Sequence, residues 1–275
     1  MAKYAYVSLL YGKTNVYIDA LVMGYTLTQT KTLHDIIMIH TSDVPSQQLK
    51  LLANYFKLIP IPDNAIKYTK ISDRSTRFMH VMKKLYAMTL VDYDKICILD
   101  TDMIIRKNID ELFEISAPAG LTYNSNLFKQ TGSPIPDADY YEKNVINAGV
   151  MILKPSNEEY NNMIHMLGKM TDVLQYPEEQ FLSKYYRFKI TTIANKYNYA
   201  LNLASHANPA YRNKFIIQNI DDIYVIHYSD IKPRVIQESS EPTKLYITYE
   251  TFKYFGYWYE MYNAMLSNIN STKLI

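Results

Sequence analysis

Hydrophobic positions along the first hundred residues follow two alternating rhythms. YAYVSLL (Tyr4–Leu10) is a short β-rich run, and the segment after it carries Ile18, Leu21, Val22 and Tyr25 at the spacing of one helical face. HDIIMIH reads as a second buried strand. TSDVPSQQLKLLANYF reads as a turn and a helix, with Leu49, Leu52, Ala53 and Phe56 on one face. Two prolines keep KLIPIPD short and extended, because proline inside a helix removes a hydrogen bond and clashes with the preceding turn. From about Asp73 to Asp92 the spacing of Phe78, Val81, Met82 and Leu85 predicts a further helix, and KICIL follows as a third strand.

This β-α-β-α-β succession predicts an α/β fold with a Rossmann-like, mostly parallel sheet and helices on both faces. Ligands of such sheets bind beyond the carboxyl ends of the strands. The second half is mixed. PAGLTYNS and AGVMILK are extended runs, separated by a loop rich in Pro, Asp and Asn that is long enough to suspect function. Ser156 with Glu159 three residues later forms a capping box ahead of a helix; YPEEQFLSKYY is a short helix and DIYVIHYSDIKP a late strand ending at His227. Near the end, Phe255, Trp258, Tyr259, Tyr262 and Met265 share a stripe. That stripe reads first as a helix docked on the core, then as the face of a homodimer. A peripheral membrane contact comes last, since no strongly basic face opposes it. No linker or repeat interrupts the chain. The expectation is one domain over 1–275, with a nucleotide-binding half at 1–123 and an acceptor and sugar half at 124–275.

Composition narrows the class. The chain has 275 residues, 48% of them apolar, and a formal net charge of +2, which excludes a disordered chain and gives no bulk charge for nucleic acid. No apolar stretch approaches the roughly 18 residues of a transmembrane span. The N-terminus shows no apolar core or cleavage site of a secretory leader, so a cytoplasmic location is expected. Cys97 is the only cysteine, so an intrachain disulfide is excluded. Its place inside KICIL reads as an inert core thiol.

The chemistry gathers where apolar runs stop. Asp100 and Asp102 flank Thr101 directly after KICIL. Two carboxylates at a strand end can hold a divalent cation against a diphosphate; the alternative is a solvated turn. His227 ends the apolar run YVIH, and imidazole with carboxylates suits Mn²⁺ better than Ca²⁺. Lys232 can meet a phosphate or be a surface lysine. Ala148 and Gly149 after Asn147 let backbone approach a ligand closely or simply turn the chain. Glu178, Glu179 and Gln180 open a helix whose dipole favours acids.

Taken in order, LDTD, NAGVMILKPS, EEQFL, KYN and VIHY with its following KP resemble glycosyltransferase family 8, most closely its glycogenin-like branch. The N-terminal AYVSLLYGKTNVYIDALVMGYTL and the segment MKKLYAM are similar to the family as well, and the resemblance runs from about Tyr4 to Pro233. It implies a GT-A fold and a retaining transferase that uses Mn²⁺, with Mg²⁺ as the alternative. The donor implied is a UDP-sugar, glucose first and galactose or N-acetylglucosamine next, and the acceptor a protein or glycan. It implies that Asp100, Asp102 and His227 hold the metal, that Leu9, Leu10, Tyr11 and Tyr17 pack around uridine, and that Thr101 lies near the ribose. Lys84 and Asp139 would contact the donor sugar region, and Asn147, Ala148 and Gly149 would line the sugar. Glu179 and Gln180 would stand near the anomeric centre, with Lys232 on the diphosphate. Self-glucosylation on tyrosine follows as a hypothesis, with Tyr211 as nominee.

The chain also departs from the family pattern. Glu179 stands where the family has Asp, and Tyr176 stands where an earlier acid is usual. No Gly follows His227, and Lys232 comes one residue early. The match at Asp139 crosses a variable loop. Two rivals stay open: a metal-dependent nucleotidyltransferase, for which YGKTN is a poor phosphate loop, and a UDP-sugar binding module without activity.

Overall fold

The computed structural model describes residues 2–66, 80–122, 146–170, 174, 176–207, 209–229, 232–238 and 249–272. Its seven-stranded sheet is built from β1 (Tyr4–Leu10), β2 (Asp35–His40), β3 (Lys57–Pro60), β4 (Lys95–Leu99), β6 (Ala119–Thr122), β7 (Ile146–Leu153) and β8 (Thr191–Thr192), in the order β3-β2-β1-β4-β7-β6-β8. The first four neighbours run parallel, as the sequence predicts. β7 enters antiparallel to β4, which accounts for the mixed character of the second half. A second sheet of β5 (Met103–Ile105), β10 (Val225–His227) and β9 (Tyr199–Ala200) lies in the order β5-β10-β9.

The strands read as unbroken apolar runs because both faces of the large sheet are covered. Tyr6 and Leu10 of β1, with Cys97 and Leu99 of β4, enter one core. Ala5, Val7 and Leu9, with Ile96 and Ile98, enter the other. This two-residue alternation places helix 16–29, the C-terminal helix Tyr249–Thr272 and the small sheet on one face. The segment 81–89 and helices 157–169 and 177–185 cover the opposite face. Cys97 is fully buried, and burial pushes its thiol well above the ordinary value, so it is an inert core group.

Some elements differ from expectation. Within the span expected to be helical from Asp73, residues 80–92 are described; Val81–Thr89 there is a 3-10 helix, while Phe78 lies outside the described residues. Helix Val16–Gln29 buries Asp19, Ala20, Met23, Gly24, Thr26 and Leu27 besides Leu21 and Val22. It is a central element between two layers, so it shows no single apolar stripe. The capping box at Ser156 is half formed. Its hydroxyl accepts from the Glu159 amide at 3.2 Å, but the Ser156 amide donates to the Met88 carbonyl and Glu159 accepts from the Tyr185 hydroxyl instead. The C-terminal stripe is core: Phe255, Trp258 and Met265 are buried, and Trp258 stacks on Tyr262 at 5.2 Å. Among the described residues no helix is long and apolar enough to cross a membrane.

Candidate active site

Asp100 and Asp102 sit where the chain leaves one sheet for the other. β4 ends at Leu99, and the Asp100 amide still donates to the Gly149 carbonyl of β7 at 2.9 Å. Two residues later the Asp102 carbonyl accepts from the Tyr228 amide at 2.9 Å, and β5 begins, pairing Met103 with His227 of β10. The paired acids thus lie at the carboxyl end of the central parallel strand, as expected of this sheet type.

His227 closes the cluster. Its Nε2 faces Asp102 Oδ1 at 3.4 Å and Asp100 Oδ2 at 3.8 Å. One ligand atom from each of these three residues lies within 4.8 Å of the others. Two carboxylate oxygens and one imidazole nitrogen fit a hard divalent cation. Gly149 makes room for this arrangement: a Cβ there would stand 2.5 Å from His227 Cε1.

Each acid has its own cation. Lys232 donates to Asp102 Oδ2 and to the Tyr228 carbonyl. Burial works to raise the Asp102 pKa, but the charges of Lys232 and His227 override it and hold the carboxyl well below the usual range. Lys84, nearly fully buried, donates to Asp100 Oδ1 and pairs with Glu178 Oε1, both at 2.6 Å. Burial works against its charge, yet the two acids together raise its pKa. One ammonium shared between two acids neutralises only one. Burial pushes Glu178 up to about 7 against the pull of Lys84, and the charge of Asp100 adds to the rise.

A cavity of about 800 Å³ opens on this cluster. Leu9, Leu10 and Tyr11 line it beside Lys84, Asp100, Thr101 and Asp102, and Asn147, Glu179, His227 and Lys232 complete the wall. Of the residues singled out in the sequence, Tyr17, Ala148, Gly149 and Gln180 are not among the lining residues. Ala148 is buried in the core, and Gln180 Oε1 accepts from the Tyr176 amide at 2.8 Å. Asp139 lies outside the described residues. Tyr211 belongs to the short helix Pro209–Phe215. The wall also holds residues the motifs did not assign. Asp19 pairs with Arg234 at 2.9 Å, and burial lifts its pKa to about 6 against the pull of Arg234. Asn202 accepts from the Ser229 hydroxyl at 2.6 Å. Asp19 sits in a helix where apolar periodicity was the only signal, and Arg234 directly follows the KP pair, so neither could be told from a surface charge.

The comparisons with known proteins agree with this geometry. An uncharacterized protein of Acanthamoeba polyphaga mimivirus is 35% identical over 96% of this chain and 95% of its own length. Inositol phosphorylceramide glucuronosyltransferase 1 of Arabidopsis thaliana is 29% identical over 67% of this chain, which spans 30% of that relative. Mouse glycogenin-1 is 24% identical over 68% of this chain and 52% of its own length. Among solved structures, the galactosyltransferase LgtC in complex with donor and acceptor sugar analogs matches with a TM-score of 0.56, 14% identity and coverage of 94% of this chain and 95% of LgtC. The glycosyltransferase GlyE of Streptococcus pneumoniae matches with a TM-score of 0.63 and 17% identity over 99% of this chain and 64% of GlyE. At these identities the structures show a shared GT-A fold. The model of the glycosyl transferase family 8 matches residues 11–233, and the chain belongs to that family.

Proposed function

We propose that this protein moves a hexose, glucose first, from a UDP-sugar to a protein or glycan acceptor in a metal-dependent reaction that retains anomeric configuration. The observation that carries this reading is the convergence of Asp100, Asp102 and His227 with Lys84 and Lys232 on one cavity. Asp100, Asp102 and His227 would hold Mn²⁺, or Mg²⁺, which when bound neutralises charge on the donor diphosphate. Lys232 adds a positive charge at the leaving group, where charge develops as the anomeric bond breaks. Leu9, Leu10 and Tyr11 supply apolar and aromatic wall for the uracil, and Tyr17 is proposed beside it by resemblance alone. Thr101 stands by the ribose. Asn147 and Glu179 line the cavity where the sugar would lie, and Ala148, Gly149 and Gln180 are proposed near the sugar by resemblance alone. Asp139 is proposed at the sugar by resemblance alone.

In the transfer, the anomeric carbon–oxygen bond to UDP breaks and one to the acceptor oxygen forms. The acceptor proton leaves to the departing phosphate. Front-face attack of this kind needs no protein nucleophile. Glu179 is the alternative nucleophile, because it lines the cavity and its Oε1 accepts from Asn147 Nδ2 at 3.2 Å. A hexose found covalently on the Glu179 peptide after quenching would favour that second route.

A UDP-sugar panel with Mn²⁺, reading UDP release, tests the reading and fixes the donor. UDP-glucuronate and UDP-galactose belong in it because relatives carry glucuronosyltransferase and galactinol synthase names. No release from any donor would leave a binding module, and pyrophosphate in place of UDP would indicate nucleotidyl transfer. Intact mass after incubation with UDP-glucose checks self-glucosylation: an added hexose supports it, and an unchanged mass removes it.

A further inference from the structure

Two buried asparagines connect the imidazole of the metal cluster to the acid at the sugar end. The Gly149 amide donates to Asn147 Oδ1 at 3.0 Å. A backbone N–H can only donate, so this contact fixes which side-chain atom of Asn147 is the oxygen. Asn198 approaches that same oxygen at 2.7 Å and must present its NH₂ group there. Its carbonyl oxygen therefore faces His227 Nδ1, at 2.8 Å. An oxygen there requires Nδ1 to carry a proton, so Nε2 is the nitrogen that faces Asp100 and Asp102. At the other end, the NH₂ group of Asn147 donates to Glu179 Oε1 at 3.2 Å. The order of donors and acceptors thus follows from one backbone amide.

Asn198 is fully buried and Asn147 nearly so. Two amides in the interior are costly unless every polar atom is satisfied. Asn198 belongs to KYN, one of the segments that carries the family resemblance but to which the motif reading assigns no role. It does not line the cavity.

We infer that Asn198 is a positioning residue. It holds His227 in the tautomer and ring orientation that offer Nε2 to the cation, and through Asn147 it ties that ligand to the placement of Glu179. Partners that orient a ligating imidazole typically change metal affinity by about 10- to 100-fold when removed. The inference rests on the cation site proposed above.

The test uses the full chain and Mn²⁺ alone, titrated by the electron-spin-resonance signal of the free ion, without donor. In Asn198→Leu, which can neither accept from His227 nor donate to Asn147, Mn²⁺ affinity is expected to fall about 10- to 100-fold. Asn198→Asp restores an acceptor for Nδ1 but no donor for Asn147. It is expected to recover more Mn²⁺ affinity than turnover. Asn195→Ser serves as control, because Asn195 is also buried in this segment but bonds the Phe215 carbonyl, away from His227. Equal Mn²⁺ affinity in parent and Asn198→Leu overturns the role of Asn198 while leaving the cation site standing. A parent that binds no Mn²⁺ overturns both. A readout independent of folding variants is the ¹⁵N spectrum of the parent's histidines without metal, with His227 assigned by its loss in His227→Asn. A protonated Nδ1 supports the inference, and a bare Nδ1 removes it.

Discussion

Asp100 and Asp102 are separated by one residue, yet they belong to two different regions of the molecule. Asp100 hangs from the large sheet through the Gly149 carbonyl and faces Lys84 and Glu178 from the helical layer beneath. Asp102 is held by the small sheet through the Tyr228 amide and faces His227 and Lys232 from the last part of the chain. On the Asp100 side one cation is shared by two acids, and the surplus is resolved by raising Glu178. On the Asp102 side a lysine and a histidine surround one acid and keep it ionised. A short motif can therefore present one ionised carboxylate of fixed charge and another whose surroundings take up or release a proton.

The largest expected effect breaks the Asp102 side. Asp102→Asn removes the charge that faces both His227 and Lys232, and metal-dependent hydrolysis of the UDP-sugar should fall by more than about 100-fold. UDP release against Mn²⁺ concentration measures it, and an unchanged rate would sink the metal assignment.

On the Asp100 side the expected loss is in stability. Lys84→Met leaves Glu178 buried without its cation, a type of change that costs about 3–5 kcal/mol. Urea denaturation at pH 8 should show it. Adding Glu178→Leu should return part of the loss, and a double variant no better than the single one would argue against the pair.

The pH dependence separates the two sides further. Glu178 is raised from its ordinary value of 4.5 to about 7. Between those values the folded state binds more protons than the unfolded one, so its contribution to stability falls as pH rises through that window. Asp102 is shifted the other way, and its contribution is lost only in acid. Glu178→Gln should flatten the decline between about pH 5 and 7 by about 1–3 kcal/mol relative to the parent. Parallel pH profiles for parent and variant would remove the shift.

The smallest effect sharpens how the Asp102 side is anchored. The Tyr259 hydroxyl of the C-terminal helix donates to the Pro233 carbonyl at 2.9 Å, next to Lys232. Tyr259→Phe should cost about 1 kcal/mol. It should also lower kcat by less than tenfold with the KM for the donor nearly kept, as steady-state kinetics would read. A rise in KM alone would place the helix outside Lys232 positioning.

Much of this was legible in the sequence, because local pattern carries it. The runs Tyr4–Leu10, Asp35–His40 and Lys95–Leu99 are apolar on both alternating faces over most of their length, as a sheet covered on both faces requires. The acids at 100 and 102 follow such a run directly, so their place at the ligand edge was determined by the chain itself. Ser156 announced its helix because a hydroxyl cap is a local bond. The 3-10 form of Val81–Thr89 was not legible, since apolar spacing over nine residues hardly separates the two helix types.

The tertiary structure decided what meets across long separations. That Glu178, next to the acid singled out by motif, is the one locked to Lys84 depends on how helix 177–185 packs on segment 81–89. That Gly149 is small to admit the His227 ring is invisible without the ring. Asn198 reads as one polar residue among many until Gly149, Asn147 and His227 surround it. Periodicity and strand ends are properties of neighbours in the chain, and sequence determines them. Charge sharing, tautomer and the direction of a buried hydrogen bond depend on partners some 30 to 130 residues away, and those only the folded sheet pair brings together.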